Sequence, residues 1–261
     1  MAEKSAIEWT DASWNPTTGC TKVSQGCKNC YAEKLALRLQ RMHSKKYANG
    51  FKLTLHEDAL KLPLKWKDSK KIFVNSMSDL FHKDVPFSFI DKVWETMMEA
   101  DWHIYQILTK RPERMLEYLL DRGHEPAYHI WLGTSVEDER VKQRIDFLRK
   151  VPAYIKFLSL EPLIGDVGKL NLKGIQWAII GGESGKNHRP IQQEWILNIF
   201  RQCREQNVAF FFKQWGGITA KSGGRTLLGR TYSEYPKIKS IIQDKCLEKV
   251  YIPIQKPLAY G

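Results

Sequence analysis

Six short apolar runs recur along the chain, and polar residues follow each of them. The runs lie at 71–75, 104–108, 129–133, 155–160, 175–180 and 208–212. Amphipathic segments separate several of these runs, at 88–100, 112–120, 137–150 and 192–206. Near-continuous apolar runs of this length are typical of strands buried on both faces of a parallel sheet. The alternation therefore predicts an α/β fold in which helices join parallel strands.

A seventh, shorter strand near residues 7–9 would precede these six. Units of about 25 to 35 residues, each with one strand and one helix, suit a parallel (β/α) barrel, complete or partial. A doubly wound open sheet is the main alternative. Residues 43–70 are rich in lysine and predict an insertion, and the glycine-rich stretch 216–236 predicts a loop. We expect a single domain over 1–261, with 216–261 as a C-terminal extension.

The composition of the chain and the lengths of its apolar runs exclude several classes of protein. With 43% hydrophobic residues, the 261-residue chain is too apolar for a disordered protein and long enough to bury a core. No apolar run is long enough to span a bilayer, and the first residues lack the apolar core of a signal peptide. We therefore expect a cytoplasmic protein with no membrane partner.

Three of the five cysteines, Cys20, Cys27 and Cys30, lie within eleven residues of one another. In an intracellular protein such a group indicates metal or redox chemistry rather than a disulfide framework. A [4Fe–4S] cluster normally takes four thiolates, so three leave one iron open to another molecule. The group follows the first predicted strand and precedes a helix starting near Tyr31. In a barrel, that loop lies at the catalytic end of the sheet.

Two other uses of these cysteines remain open. The three thiols and His43 make a possible zinc site, which would suit a nucleic-acid-binding protein without radical chemistry. A redox disulfide between Cys27 and Cys30 is the third possibility. The remaining cysteines, Cys203 and Cys246, are isolated in the sequence.

Polar residues and glycines repeatedly follow the predicted strands. Because parallel strands end at the same mouth of a barrel, we expect these residues to form a ring around one site and to bind a cofactor there. Glycines at a strand end also permit close approach of a ligand. The predicted cofactor-binding residues are Ser76, Ser78, Asp79, Lys110, Ser135, Glu137, Ser159, Glu161, Gly181, Gly182 and Glu183.

The cysteine segment resembles known families. The placement of three cysteines after the first strand of a partial barrel resembles the arrangement found in the radical S-adenosylmethionine superfamily. Residues 7–20 and 26–32, together with 213–216 and 223–230, resemble the phage Gp37/Gp68-like three-cysteine family. The superfamily resemblance implies a [4Fe–4S] cluster, S-adenosyl-L-methionine, and an electron donor such as flavodoxin or ferredoxin. It also implies an enzyme that generates a 5′-deoxyadenosyl radical and abstracts a hydrogen atom from its substrate.

The charge of the chain bears on the substrate. The formal net charge of +12 favours a polyanionic partner. Basic side chains in or just before the glycine-rich stretch, namely Lys213, Lys221, Arg225 and Arg230, would be able to approach phosphates. We therefore expect DNA or RNA as the substrate, for modification or repair.

Overall fold

The computed structural model describes residues 5–219 and 221–237, and its architecture is built on nine strands. In chain order these are β1 (Ala12–Trp14), β2 (Thr17–Thr18), β3 (Thr54–Leu55), β4 (Lys71–Val74), β5 (Ile104–Thr109), β6 (Ile130–Ser135), β7 (Ile155–Leu160), β8 (Trp177–Gly181) and β9 (Ala209–Gln214). Strands β2 and β3 form a separate antiparallel pair. The other seven strands form one sheet in which every neighbouring pair is parallel.

The order of strands in the large sheet decides between the two predicted topologies. The neighbours run β1, β4, β5, β6, β7, β8 and β9, so sheet order follows chain order without a reversal. A doubly wound sheet reverses its strand order at a switch point, which this sheet does not do. The sheet is curled into a half-barrel, and the predicted partial (β/α) barrel is confirmed.

Five α-helices accompany the sheet in the described residues. They are α1 (Tyr31–Arg41), α2 (Phe87–Glu99), α3 (Pro112–Asp121), α4 (Arg144–Lys150) and α5 (Gln193–Glu205). The helix predicted over 137–150 is shorter than expected. Asp138 Oδ1 accepts a hydrogen bond from the backbone N–H of Arg140 at 3.0 Å and begins a 3₁₀ turn over Glu139–Val141. The α-helix therefore starts only at Arg144.

The first strand lies later than the sequence predicts. Strand β1 is Ala12–Trp14, and it pairs with Ile72–Val74. The apolar residues near 7–9 instead reflect packing on the concave side of the sheet, where Trp9 is 3% exposed and its ring centroid lies 4.6 Å from that of Phe73. The prediction of a strand at 7–9 is therefore wrong, because burial there comes from side-chain packing and not from sheet pairing.

The sheet separates two apolar layers. Residues that alternate along each strand point to opposite faces, so Ile72 and Val74 join the core beneath the helices whereas Phe73 joins the concave side. The concave cluster is mainly aromatic. Its buried members are Trp9, Phe73, Trp131, Ile155, Phe157, Trp177, Ile179 and Phe211. Two members of this cluster, Trp9 and Phe73, also line a cavity at the carboxyl ends of the strands.

The two stretches that interrupt the predicted pattern are irregular. Residues 43–70 contain three short 3₁₀ turns and strand β3. Residues 221–237 contain turns and isolated bridges. The boundaries of the predicted insertion and of the C-terminal extension stay predictions, and Cys246 lies outside the described residues.

Candidate active site

A cavity of about 450 Å³ opens at the carboxyl ends of the parallel strands. Trp9 and Phe73 of the concave aromatic cluster form part of its lining. Twelve of the fourteen predicted site residues also line it. They are Cys20, Cys27, Cys30, Ser76, Ser78, Asp79, Lys110, Ser135, Ser159, Glu161, Gly182 and Glu183. The two exceptions are Glu137 and Gly181, which do not line this cavity.

The three cysteines come from one segment, here called the cysteine loop and defined as residues 20–30. Its 3₁₀ turn ends at Cys27, and α1 begins directly after Cys30. All three thiols are free and only partly buried. The described residues contain no group of three or more His, Cys, Asp or Glu side chains already arranged around one metal position. The thiols thus line a common cavity without surrounding a shared point.

Cys20 lies beside a buried ion pair. Arg111 Nη1 donates to Asp79 Oδ2 at 2.8 Å and lies 3.7 Å from Cys20 Sγ. Burial raises the pKa of Cys20 to about 11, and the negative charge of Asp79 adds to the rise whereas Arg111 opposes it. A metal that binds Cys20 therefore has to displace the proton that this raised pKa favours.

Asp79 connects the ends of two neighbouring strands. Its Oδ1 accepts a hydrogen bond from Thr109 Oγ1 at 2.7 Å and from the backbone N–H of Phe81 at 3.0 Å. Its Oδ2 accepts from the backbone N–H of Lys110 at 3.1 Å, in addition to Arg111. Since both carboxylate oxygens are occupied, Asp79 aligns the ends of β4 and β5 and holds Arg111 in the cavity wall.

Glu137 supports the cysteine loop from below. It is 1% exposed and accepts hydrogen bonds from Ser24 Oγ at 3.0 Å and from Arg144 Nη1 at 3.0 Å, and Lys110 Nζ lies 2.8 Å from its Oε1. Although burial opposes ionisation, Lys110 and Arg144 hold the pKa of Glu137 below its usual value. Glu137 was predicted to bind a cofactor. Its carboxylate is covered by the cysteine loop and does not line the cavity, and its role in binding a cofactor stays a prediction.

Gly26 explains how the loop approaches Glu137 so closely. A Cβ atom at Gly26 would lie 2.4 Å from Glu137 Cγ, which is closer than real Cβ contacts allow. The two residues are therefore in direct contact, and a larger side chain at position 26 would lift the loop.

A second carboxylate holds the other side of the loop. Glu183 Oε2 accepts hydrogen bonds from Asn29 Nδ2 and from Arg189 Nε, both at 2.9 Å. Arg189 Nη1 also donates to the backbone carbonyl of Gln25 at 2.9 Å. Burial disfavours the charged carboxylate of Glu183 and acts to raise its pKa. Hydrogen bonds from Arg189 and Asn29 outweigh burial and hold the pKa of Glu183 below its usual value. The segment after β8 thus clamps the cysteine loop across the mouth of the half-barrel.

The two predicted glycines at the end of β8 have different surroundings. A Cβ atom at Gly182 would lie 2.0 Å from the backbone oxygen of Trp215, so only glycine lets the segments after β8 and β9 cross there. Gly181 was predicted to bind a cofactor but lies behind the cavity wall, where a Cβ atom would meet Glu161 Cδ at 3.1 Å.

The cations of the cavity wall already have carboxylate partners. Lys213 Nζ lies 2.6 Å from Glu161 Oε1, and Lys221 Nζ lies 3.4 Å from Glu8 Oε1. Lys110 and Arg111 are paired as described above. The wall is therefore nearly charge-balanced, which suits a zwitterionic ligand better than a polyanion.

Two polar atoms of cavity-lining residues, Trp9 Nε1 and Asn75 Oδ1, lack a hydrogen-bond partner in the described part of the chain. Asn75 follows β4 with a left-handed backbone, φ 61°, and is 2% exposed. Its Nδ2 donates to Thr17 Oγ1 at 2.8 Å, whereas its Oδ1 is buried without a hydrogen-bond partner in the described part of the chain. Such an acceptor is costly to leave unsatisfied, and a donor group of a ligand would satisfy it.

Several functional contacts were not predictable from the sequence. Arg189 and Asn29 carry no local pattern that connects them, because 160 positions of chain separate the two segments. The pairing of Lys213 with Glu161 would follow only once β7 and β9 were known to end at one mouth. By contrast, Cys203 is fully buried in the core beneath the helices and does not line the cavity.

The structure also separates His43 from the cysteines. Helix α1 has 11 residues, so it spans about 16 Å at 1.5 Å per residue. Cys30 directly precedes this helix, and His43 lies beyond its end. The interpretation of His43 as a fourth zinc ligand is therefore wrong, because the intervening helix holds the imidazole too far from the thiols.

The fold and the site define a half-barrel α/β protein with a cysteine loop across its mouth. The chain belongs to a family described as a protein of unknown function (DUF5131), whose model matches residues 4–236. No curated protein gives a significant match. In the described residues, no helix has both the length and the apolar character needed to cross a bilayer.

Two solved structures resemble the chain at low identity. One is a spore photoproduct lyase mutant with bound AdoMet and dinucleoside spore photoproduct, at 14% identity and a TM-score of 0.45. The similarity covers 95% of this chain, which spans 62% of that one. The other is spore photoproduct lyase complexed with dinucleoside spore photoproduct, at 12% identity and a TM-score of 0.43, covering 91% of this chain and 73% of that one.

Proposed function

We propose that this protein is a radical S-adenosylmethionine enzyme whose [4Fe–4S] cluster is held by Cys20, Cys27 and Cys30. The observation that carries the proposal is that all three thiols line the same cavity as polar residues from the ends of the parallel strands. Three thiolates leave one iron of such a cluster without a protein ligand. The remaining position then faces a cavity lined by groups able to bind a small polar molecule.

The residues present fit this cofactor set in three respects. The thiols are free, the wall is nearly charge-balanced, and Asn75 Oδ1 is an unsatisfied acceptor. S-adenosylmethionine carries an ammonium, a carboxylate and a sulfonium, so it suits a wall of paired charges. When bound and reduced, the cluster would supply the electron that cleaves S-adenosylmethionine to the 5′-deoxyadenosyl radical, which abstracts a hydrogen atom from the substrate.

The chain's own residues would bind and orient the reactants. Ser76, Ser78, Ser135 and Ser159 offer hydroxyl groups to the cavity. Glu161 is held by Lys213 and would accept hydrogen bonds from ribose hydroxyls. The concave aromatic cluster closes the floor of the cavity and would exclude water from the reacting groups.

The substrate proposal is a nucleic acid or a nucleotide-bearing molecule, and its support is the net charge of +12. The basic residues of the glycine-rich stretch support it less than their number suggests. Arg225 lies 5.1 Å from the ring centroid of Phe211 and donates to Ser233 Oγ, and Arg230 Nε donates to Tyr232 Oη at 3.0 Å. These two guanidinium groups stabilise the loop itself.

Membership of the phage Gp37/Gp68-like group also stays a prediction.

The test is the release of 5′-deoxyadenosine. The protein is reconstituted with iron and sulfide without oxygen, then mixed with S-adenosylmethionine and dithionite. The proposal predicts 5′-deoxyadenosine and methionine in equal amounts, with none formed by the Cys27→Ala variant. A reconstituted protein that contains iron but releases no 5′-deoxyadenosine, with nucleic-acid oligonucleotides present or absent, would contradict the proposal.

A further inference from the structure

The outer surface of α1 is an unusual mixture of basic and apolar side chains. The helix buries little against the rest of the protein, namely Ala32 and Ala36. Its solvent side keeps large apolar residues exposed, with Leu35 at 40%, Leu37 at 42% and Met42 at 63%. A helix normally turns such residues toward a core, so this face lacks a partner within the described chain.

Basic residues interleave with these apolar ones. At 3.6 residues per turn, Leu35, Arg38 and Met42 share one side of the helix, and Lys34, Leu37 and Arg41 lie on the adjoining side. All six are exposed. They define one continuous surface, here called the α1 face, which consists of Lys34, Leu35, Leu37, Arg38, Arg41 and Met42.

The segment 20–46, which contains α1, carries half of the formal net charge of the chain. Residues 20–46 contain five Lys and two Arg against the single acidic residue Glu33, a net charge of +6 out of +12. In the described part of the chain, the one ion pair recorded within this segment joins Lys22 to Glu33 at 3.0 Å. Three of these cations, Lys34, Arg38 and Arg41, belong to the α1 face, and none of the three forms an ion pair within the described residues.

We propose that the α1 face is the docking surface for an acidic one-electron carrier protein, which reduces the cluster at the cysteine loop. The inference rests on the proposed function. Charge complementarity identifies the acidic partner, and the exposed Leu and Met side chains favour a protein over a nucleic acid, because Met and Arg are enriched in protein interfaces. Helix α1 begins directly after Cys30, so a carrier seated on it lies beside the cysteine loop.

The proposed redox step is the transfer of a single electron. The reduced carrier would lose one electron, and the oxidised cluster held by the cysteine loop would gain it, with no bond made or broken. A small, transient interface suffices for such an exchange, since electron-transfer complexes bury less surface than stable ones.

The test measures binding rather than turnover, with a flavodoxin as the acidic probe. The dissociation constant is determined for the full chain, with and without reconstituted iron, at low and at moderate salt. We expect binding that weakens as salt rises. The variant with Lys34→Glu, Arg38→Glu and Arg41→Glu should weaken binding by about tenfold or more.

Two further variants make the test specific. The control with Lys150→Glu, Lys173→Glu and Arg201→Glu changes the net charge equally on another surface and should bind flavodoxin within about twofold of the unmodified protein. The variant with Leu35→Ser and Met42→Ser should weaken flavodoxin binding, and it should not alter binding of a short DNA duplex, whose phosphates need only the cations.

The outcomes separate this inference from the proposed function. No flavodoxin binding by a protein that loads iron and releases 5′-deoxyadenosine with dithionite would overturn the inference and leave the function standing. Equal weakening by the control variant would also overturn it. A DNA duplex that competes at the α1 face, with flavodoxin binding indifferent to Leu35→Ser and Met42→Ser, would make the face a nucleic-acid surface. Flavodoxin binding by a protein that takes up no iron would contradict both the inference about the α1 face and the proposed function.

Discussion

Glu137 and Ser24 are joined by a hydrogen bond of 3.0 Å, in which Ser24 Oγ donates to Glu137 Oε1. This bond ties the cysteine loop to the segment that follows β6, although 113 positions separate the two residues in the chain. Together with the contact between Asn29 and Glu183, it fixes both flanks of the loop. Positioning of the thiols thus depends on two carboxylates, those of Glu137 and Glu183.

Replacing Glu137 with Gln should loosen the cysteine loop. The change removes the negative charge between Lys110 and Arg144, and an uncompensated buried charge costs about 3 to 5 kcal/mol. Loss of the support should also lower the affinity for iron by about 10- to 100-fold, as for other groups that orient metal ligands. Urea unfolding and iron analysis after reconstitution measure the two effects.

The matched control for that change is Glu139→Gln. Glu139 forms an exposed pair with Lys142 at 2.9 Å, and such pairs contribute between nothing and about 1 kcal/mol. Its iron content should equal that of the unmodified protein. Similar losses of iron in Glu137→Gln and Glu139→Gln would show that Glu137 has no specific positioning role.

Replacing Gly26 with Ala tests the contact between the loop and Glu137. The added methyl group would lie 2.4 Å from Glu137 Cγ, so the loop has to shift. Gly123→Ala is the comparison, because nothing lies within 4 Å of that position and only its backbone, φ 61°, is strained. We expect both changes to cost about 1 to 3 kcal/mol. Only Gly26→Ala should reduce iron uptake, and equal iron contents would contradict the proposed contact.

The fold was predictable to the extent that burial produces a recognisable pattern. Strands buried on both faces give unbroken apolar runs, which is why β4 to β9 could be read from the sequence within a few residues. The segment 7–9 gives the same signal because Trp9 enters the concave aromatic cluster. Hydropathy alone does not distinguish pairing in a sheet from packing against one.

The candidate site was predictable in position but less so in the direction of its side chains. Residues after parallel strands meet at one mouth, so most of the predicted residues line the cavity. Whether a given carboxylate faces the cavity depends on contacts from distant loops. Glu137 turns inward because Ser24, Lys110 and Arg144 converge on it, and no local pattern reports that convergence.

The stability of the protein should fall as the pH drops below about 6.5, the unperturbed pKa of histidine. Burial lowers the pKa of His103 and of His129, so the unfolded chain binds protons that the folded chain rejects. Their contribution to stability is complete above the unfolded pKa and is lost as the pH falls toward the folded value. Urea unfolding at several pH values between neutral and mildly acidic measures this dependence.

His129 allows the pH prediction to be tested at one residue. Its ring Nε2 lies 3.0 Å from the backbone oxygen of Met97, and its Nδ1 is buried without a partner in the described residues. The His129→Gln variant should show a shallower loss of stability with falling pH. An unchanged slope in His129→Gln would exclude His129 as a source of the acid sensitivity.

The iron content of the protein and of its single cysteine variants, after anaerobic reconstitution, tests the central claim most directly. A [4Fe–4S] cluster predicts about four irons per chain in the unmodified protein. The Cys203→Ala variant should match it, because Cys203 lies in the core beneath the helices. Cys20→Ala, Cys27→Ala and Cys30→Ala should each retain almost none. Stoichiometric zinc without iron uptake, or iron retained by all three variants, would contradict the assignment of the cysteine loop as the cluster site.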